Sequence, residues 1–484
     1  MARQPYLQIN VNKHNAGRSL SMAQIVSAVK EQITLEHVAP GCRLPPVRVL
    51  AHQLGMSKTT IQLAYDELVA QGLLESTERV GLFVASDPKP VPVAPETLVV
   101  PPPCMALPAT APPAPARPPT EGMLNLGSVF IDPALLPHEK LSACFRSVVK
   151  QPQAYAAYHD QGFPPLRQAI AERLQARGID ASAEDIVITA GSQQALDLVC
   201  RVLKQKRIAT ENPAYSHGKA LFEMNGLETL PLPLDPFCGI DPDVWERQLA
   251  TSPALLYLTT NYHNPTGYSY TTSELQQILG WSQQYGFGIL EDDWGADMLS
   301  FSEFRPCLRA RGGSGVLYIN AFTKKLLPSL RLGYIVGNPD VTPALVASKV
   351  ASCLGLSTLM KAALFEFLDR GYYETHLKQL QAELDQRYEN CLAALRDTMP
   401  EGVQWTTPGG GPSLWVELPA GVDRERLRDR LAQRHVTISL SDNAFFNQPH
   451  LNGFRLGYAM LSQDDMRRGI EILADTLRQE IARR

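Results

Sequence analysis

No run of this 484-residue sequence is apolar for long enough to cross a membrane. A span needs about 20 consecutive apolar residues, and the nearest approach, around Leu345, is interrupted by Lys349. The first twenty residues (MARQPYLQINVNKHNAGRSL) hold no apolar core of the kind a secretory leader carries, so the cytoplasm is the expected compartment. Cysteine is sparse and unpatterned. Its eight positions (Cys42, Cys104, Cys144, Cys200, Cys238, Cys307, Cys353, Cys391) include no Cys-x-x-Cys pair, which argues against a disulfide framework and against a zinc site; reduced thiols and no metal are expected. Charge of one sign is lacking too: 45 basic and 49 acidic residues leave a net −4, which by itself excludes no class of partner because opposite local charges cancel in it. With 44% hydrophobic residues, the chain has material for more than one core.

What the sequence has in excess is proline in one place. The strip from Ser86 to Thr120 (SDPKPVPVAPETLVVPPPCMALPATAPPAPARPPT) cannot form helix or central strand, because proline fixes φ and donates no backbone hydrogen bond. An extended, semi-rigid spacer is expected over 86–121, separating one folded unit over 1–85 from a second over 122–484.

In the front unit, Ser21 to Glu36 sets Ile25, Ala28, Val29 and Ile33 at helical spacing, and Pro40-Gly41 stops the run. Val47 to Leu54 forms a second helix; Gly55-Met56 turns the chain into Ser57, a good N-cap for a third helix to about Gln71. Two short helices around a glycine turn make a helix-turn-helix, whose second helix offers its first residues to the DNA major groove. Here these are Ser57, Lys58, Thr59, Thr60 and Gln62. Leu73 to Ser76 and Leu82 to Val84, around a turn at Arg79-Val80-Gly81, read as a two-stranded wing. Residues 1–85 carry eight Lys and Arg against six acids, so general electrostatics alone would give weak DNA binding.

The run Leu44-Pro45-Pro46-Val47-Arg48, followed by Leu50-Ala51, Leu54-Gly55, Ser57-Lys58-Thr59-Thr60, Tyr65, Leu68, Gly72-Leu73 and Gly81-x-Phe83-Val84, resembles the winged helix of GntR-type regulators. The resemblance implies double-stranded operator DNA as a partner, contacted by Arg48, by Ser57, Lys58, Thr59, Thr60 and Gln62, and by the wing at Gly81. Relatives commonly carry arginine where Lys58 stands. Lysine lacks the two-pronged guanine contact, which points Lys58 toward phosphate.

Beyond the spacer, strand-like runs (Ile186 to Ala190, Leu255 to Thr259, Gly288 to Glu291, Val316 to Ile319, Leu332 to Val336) alternate with helical ones such as Gln193 to Leu203 and Glu274 to Tyr285. That rhythm predicts an α/β fold with a mostly parallel sheet between helices, and polar site residues at strand ends. Lys324, just after a strand in an apolar run, is placed to lose its charge by desolvation and to form a Schiff base with an aldehyde. Pyridoxal phosphate uses such a lysine, with an acid at its ring nitrogen and donors around its phosphate. Asp292, 32 residues earlier, is the candidate acid; Asn264 in Asn261-Tyr262-His263-Asn264-Pro265-Thr266-Gly267 is a donor for the ring hydroxyl. Gly191-Ser192-Gln193 offers helix N-terminal amides to a phosphate, Thr323 and Arg331 complete the cup, and Tyr215 is placed to stack on the ring.

The order and spacing of these residues resemble fold-type I aminotransferases from about Leu124 onward. The resemblance implies that Arg455 in Gly453-Phe454-Arg455-Leu456-Gly457-Tyr458 holds a ligand carboxylate, and that Tyr158 reaches the phosphate of a neighbouring subunit. The whole arrangement is similar to the MocR/GabR family of bacterial regulators. It implies a homodimer, regulation by pyridoxal phosphate and a small amino-compound effector, and weak or absent transamination; the alternative is a working aminotransferase. Three departures stand out: Trp294 in place of a ring-contacting tyrosine, His217 where some members have arginine, and Lys204-Gln205-Lys206-Arg207 instead of a Pro-Gly-Asp turn.

Overall fold

The computed structural model describes residues 6–7, 9, 21–35, 38–77, 80–86, 122–152, 156–295, 297 and 307–482. The chain divides into two compact units whose boundary falls within the proline-rich stretch; of the spacer expected over 86–121, residues 87–121 lie outside the described residues.

In the first unit, α1 (Met22–Leu35), α2 (Val47–Leu54) and α3 (Lys58–Ala70) precede a hairpin of β1 (Leu74–Thr77) and β2 (Gly81–Val84). Gly55 ends α2 with φ 68°, a left-handed turn that costs glycine little and turns the chain toward α3. Ser57 then caps α3, its Oγ accepting the Thr60 amide at 3.1 Å. Ile25 and Val29 of α1, Leu50 of α2, and Ile61, Ala64, Tyr65 and Leu68 of α3 close one core with Leu73 and Val84. Burial of each large side chain contributes roughly 1.5–3 kcal/mol. The hairpin is antiparallel, with Leu74 opposite Val84 and Thr77 opposite Gly81. Gly81 therefore opens β2 instead of sitting in the turn, and Arg79 lies outside the described residues.

The second unit opens with β3 (Leu124–Asn125), α4 (His138–Val149) and α5 (Pro164–Ala176). Then come β4 (Ile186–Thr189), α6 (Gly191–Val202), β5 (Arg207–Asn212), α7 (Ser216–Met224), β6 (Glu228–Asp235), β7 (Gly239–Ile240) and α8 (Pro242–Leu249). The chain continues through β8 (Leu255–Leu258), α9 (Thr272–Tyr285), β9 (Gly288–Asp292), α10 (Leu308–Gly312), β10 (Val316–Ala321) and β11 (Gly333–Val336). Together these strands make one eight-stranded sheet in the order β4, β11, β10, β9, β8, β5, β6, β7. The central pairs are parallel, as the alternation of runs implies, but β11 runs antiparallel to both neighbours. It follows β10 after a short connection, with no crossover helix of the kind a parallel return requires. Three strands that the alternation does not announce, β5, β6 and β7, complete the sheet; Pro231 and Pro233 obscure β6.

Past the sheet, α11 (Thr342–Cys353), α12 (Thr358–Asp369) and the 27-residue α13 (Tyr372–Thr398) lead to a smaller layer. There β12 (Gln404–Trp405), β13 (Ser413–Glu417), α14 (Arg424–Gln433), β14 (Val436–Thr437), β15 (Gly453–Gly457) and α15 (Gln463–Ile481) form an antiparallel sheet packed on helices, with β14 paired to β3. Leu414, Val416, Phe454, Leu456, Ile470 and Leu473 lie in its core. Arg455, between two of those buried residues on β15, therefore projects from the opposite face of the strand. No described helix is long and apolar enough to cross a membrane.

Candidate functional site

The adjacent lysines after β10 part company. Lys325 is fully buried, and its Nζ donates to Asp297 at 2.8 Å and to the Asn320 side chain at 2.6 Å. Tyr373 donates to the same Asp297 oxygen at 2.9 Å. Although burial alone would raise Asp297, Lys325 and Arg177 hold it well below the usual carboxylate range. Lys324 turns the other way. Its Nζ stands 3.9 Å from the centroid of the Trp294 ring, and burial, aided by the charge of Arg455, lowers it from 10.5 to about 7. Burial lowers Lys325 as well, against the opposing charge of Asp297, but among the described residues Lys324 has no ion-pair partner, which leaves it the amine free to react.

Asp292 ends β9 beside it. Tyr257, on the neighbouring strand β8, donates to Asp292 Oδ2 at 2.9 Å, while Asp292 Oδ1 is buried without a hydrogen-bond partner among the described residues. Burial raises Asp292 to about 6, against the pull of the Tyr257 hydroxyl and Lys324. Arg455 donates from Nη1 to Asn264 Oδ1 at 2.7 Å and from Nη2 to the Gly127 carbonyl at 2.9 Å, and its Nε is buried without a partner among the described residues. The Asn264 carbonyl is thereby engaged, which fixes the direction of its amide nitrogen.

At the N-terminus of α6, Gly191 adopts φ 79°; a Cβ there would lie 3.5 Å from Arg331 Nη2 and 3.6 Å from Thr323 Oγ1. Gly333 must also be glycine, since its Cβ would meet Gly191 Cα at 2.9 Å. These contacts bring a helix N-terminus, the Thr323 hydroxyl and the Arg331 guanidinium to one cradle, with Ser192 and Gln193 next along α6. Thr323 Oγ1 is buried with no partner, and Arg331 Nη2 donates to the Ala190 carbonyl at 3.2 Å. Tyr215 donates to Gln193 Oε1 at 3.1 Å and stacks on His217, with ring centroids 5.4 Å apart. Burial, then Lys324 and Arg455, push His217 below its ordinary value, so it presents an uncharged ring to this side of the pocket. Tyr158 stands apart on the surface, 85% exposed against Gly355.

The donor set suits pyridoxal phosphate. Among the described residues, a carboxylate oxygen and a hydroxyl without partners, a guanidinium, helix-terminal amides and a desolvated amine gather at Asp292, Thr323, Lys324, Arg331 and the start of α6. A group bearing an aldehyde, a protonated ring nitrogen and a phosphate complements each of them.

On the first unit, Arg48, Lys58, Thr59 and Gln62 are exposed. Ser57 and Thr60 are occupied by the cap, their hydroxyls 2.7 Å apart, and Gln62 Nε2 donates to Asp66 at 2.9 Å. Beneath Gly81 lies Arg43, a residue the sequence did not single out. It donates to the Val80 carbonyl and stacks on Tyr6 and Phe83, with its guanidinium 5.4 and 6.0 Å from the ring centroids. Tyr257 and Asp297 were likewise unannounced: one reads as a core residue of Leu-Leu-Tyr-Leu, the other as a surface acid.

Residues 132–473 match the model for "Aminotransferase class I and II", and residues 22–84 match that for "Bacterial regulatory proteins, gntR family". The solved structure of LysN, alpha-aminoadipate aminotransferase from Thermus thermophilus, is 29% identical with a TM-score of 0.69, covering 75% of this chain and 94% of that one. Fold and site thus define a DNA-binding regulator built on an aminotransferase of a pyridoxal phosphate-dependent family. Two regulators match nearly end to end. The probable rhizopine catabolism regulatory protein MocR of Rhizobium meliloti is 28% identical over 93% of this chain and 92% of its own length. The HTH-type transcriptional regulator TauR of Rhodobacter capsulatus is 29% identical over 93% and 95%. The chain belongs to the MocR/GabR family of GntR-type transcriptional regulators.

Proposed function

We propose that this protein is a homodimeric transcriptional regulator whose hold on operator DNA is set by pyridoxal phosphate carried at Lys324 and by an amino-compound effector that meets it there. The observation that carries this reading is the convergence of unpartnered or desolvated groups around Lys324 in a chain that also bears a winged helix. The division of labour follows the proposed boundaries: DNA binding by 1–85, a tether over 86–121, and sensing and dimerisation by 122–484.

When bound, pyridoxal phosphate supplies an aldehyde that condenses with amines and a ring that withdraws electrons. Around it, Asp292 Oδ1 would accept a hydrogen bond from the protonated ring nitrogen, and the Asn264 amide would meet the ring hydroxyl. Gly191, Ser192, Gln193, Thr323 and Arg331 hold the phosphate, with Tyr158 of this chain serving the other subunit. Tyr215 and Trp294 confine the ring. An incoming amine with an acidic group would take Arg455 from Asn264 and Gly127 by a two-pronged salt bridge. That exchange would release β15 from the Asn264 turn and from Gly127, a differential contact through which a ligand shifts a conformational equilibrium. Two winged helices on one dimer gain effective concentration at paired half-sites, so a modest movement changes DNA affinity strongly.

Trp294 favours sensing over turnover. Indole donates one hydrogen bond and cannot ionise, so it offers no phenolate beside Lys324 to assist proton movement. The enzymatic alternative draws on the 2-aminoadipate transaminase of Thermus thermophilus, 30% identical over 75% of this chain.

Borohydride reduction of the protein mixed with pyridoxal phosphate, followed by peptide mass spectrometry, tests the site. A phosphopyridoxyl group on Lys324 is expected; a group on Lys325, or none, overturns the assignment. Amino-acid turnover at about 1 per second or faster would transfer the conclusion to the enzyme.

A further inference from the structure

Tyr257 belongs to none of the roles assigned above, yet its hydroxyl is the side-chain group that grips Asp292. It is fully buried on β8, with its backbone in register with Leu290 of β9, two residues before Asp292. Phe222 packs edge-on against its ring at 5.6 Å, so the ring is held independently of the hydroxyl. A carboxylate with both oxygens free can rotate and can choose its partner. Here Oδ2 is engaged at 2.9 Å and the buried Oδ1 has no hydrogen-bond partner among the described residues, with the Trp294 backbone amide also facing the carboxylate.

We infer that Tyr257 is a positioning residue for the cofactor ring: its hydroxyl fixes the rotation of Asp292 and leaves Oδ1 as the single oxygen directed at the ring nitrogen. This inference rests on the reading of Asp292 as the ring-nitrogen partner. A hydrogen bond to the charged form of an acid also favours that form, so Tyr257 acts on when Asp292 is ionised as well as on where it points. The groups facing Asp292 act in both directions. Burial raises it most; the Tyr257 hydroxyl, Lys324 from the loop after β10 and the Trp294 amide lower it, and Asp293 raises it. Glu211 of β5, itself raised to about 7 by burial, acts on Tyr257, and Tyr215 just before α7 acts on both Tyr257 and Asp292.

A plain core tyrosine predicts something different. Loss of its hydroxyl would weaken the fold a little and lower cofactor affinity equally at every pH. A positioning role predicts a loss that depends on pH. Asp292 holds the ring nitrogen only while ionised, so grip is present above its midpoint near 6 and is lost as pH falls through it. Removing the donor moves that midpoint up by about one unit, which lowers affinity about fivefold at pH 6 and leaves it nearly unchanged at pH 9.

The experiment titrates pyridoxal phosphate into wild-type and Tyr257→Phe protein from pH 5.5 to 9, reading the dissociation constant from the absorbance of the bound cofactor. The amine of Lys324 is common to both proteins, so their ratio isolates Asp292. An acid-side loss in Tyr257→Phe that disappears when both proteins also carry Asp292→Asn supports the inference. A ratio constant with pH, or one that persists in the Asp292→Asn background, overturns it. Should the phenylalanine variant fail to fold, Tyr257→Met, which fills similar space against Phe222, is measured with the same two outcomes. Failure of wild-type protein to bind pyridoxal phosphate at any pH would instead sink the cofactor reading on which the inference rests.

Discussion

Replacing Arg455 with glutamine should change how readily Lys324 accepts an aldehyde. Lys324 lies at about 7 instead of 10.5, chiefly through burial, with the Arg455 charge the largest electrostatic contribution and Asp292 opposing it. A neutral amine is the nucleophile, so what matters is the unprotonated fraction. At pH 7.5 an ordinary lysine is unprotonated to about one part in a thousand, whereas an amine at 7 is so to about three quarters, a gain of several hundredfold. Removing one like charge from the pocket should raise the midpoint by about one unit, to about 8. The unprotonated fraction at pH 7.5 then falls about threefold, to about one quarter. The direction is fixed by the sign of the shift: the amine frees as pH rises through its midpoint, and Arg455→Gln moves that rise to higher pH. Stopped-flow absorbance of pyridoxal phosphate adding to the apoprotein, run from pH 6 to 10, measures both midpoints, with Lys324→Ala as the unreactive control. Identical midpoints in the two proteins, or a wild-type midpoint near 10, would refute the reasoning.

Three further outcomes follow from local geometry. Ser57→Ala removes the side-chain acceptor for the Thr60 amide and should destabilise the first unit by about 1 kcal/mol, seen as faster hydrogen exchange at the start of α3. Unchanged exchange there would show that the cap is dispensable. Lys325→Ala leaves Asp297 buried without its ammonium partner and should destabilise the second unit by about 3–5 kcal/mol. In wild type, the stability this depressed carboxylate contributes is present above its ordinary 3.8 and is lost only as pH falls below that value. Acid unfolding should therefore begin at higher pH in Lys325→Ala, and coincident acid transitions would contradict the pairing. Arg48→Ala should weaken operator binding while leaving the bound-cofactor absorbance unchanged; full DNA affinity would misplace the DNA face.

The residues that carry backbone-encoded signals were legible from sequence. Ser57 announces a helix start because a short side-chain oxygen after a glycine turn has one common use, and α3 begins at the next residue. Lys324, Asp292 and Asn264 could be placed because each follows or ends a strand of a recognisable α/β rhythm, and Arg331 because it lies just before one. Direction was less legible. A hydrophobic run has the same period whichever way it travels, so nothing in Gly333–Val336 reveals that β11 opposes its neighbours. Partner choice was not legible at all where it depends on tertiary distance. The Tyr257 hydroxyl meets Asp292 across 35 residues and Lys325 meets Asp297 across 28, and neither spacing carries a local rule. Arg455 and Asn264 lie 191 residues apart, and only the fold reveals that the two share a hydrogen bond.

Fluorescence anisotropy on the DNA upstream of the protein's own gene, at one fixed salt concentration and with or without pyridoxal phosphate, tests the central claim most directly, because protein–DNA affinity varies steeply with salt. Wild-type protein should bind with an affinity that changes when the cofactor is added, and Lys324→Ala should bind with an affinity that does not. Equal affinity of wild type with and without the cofactor, at concentrations that saturate Lys324, would contradict the claim that this site governs the winged helix.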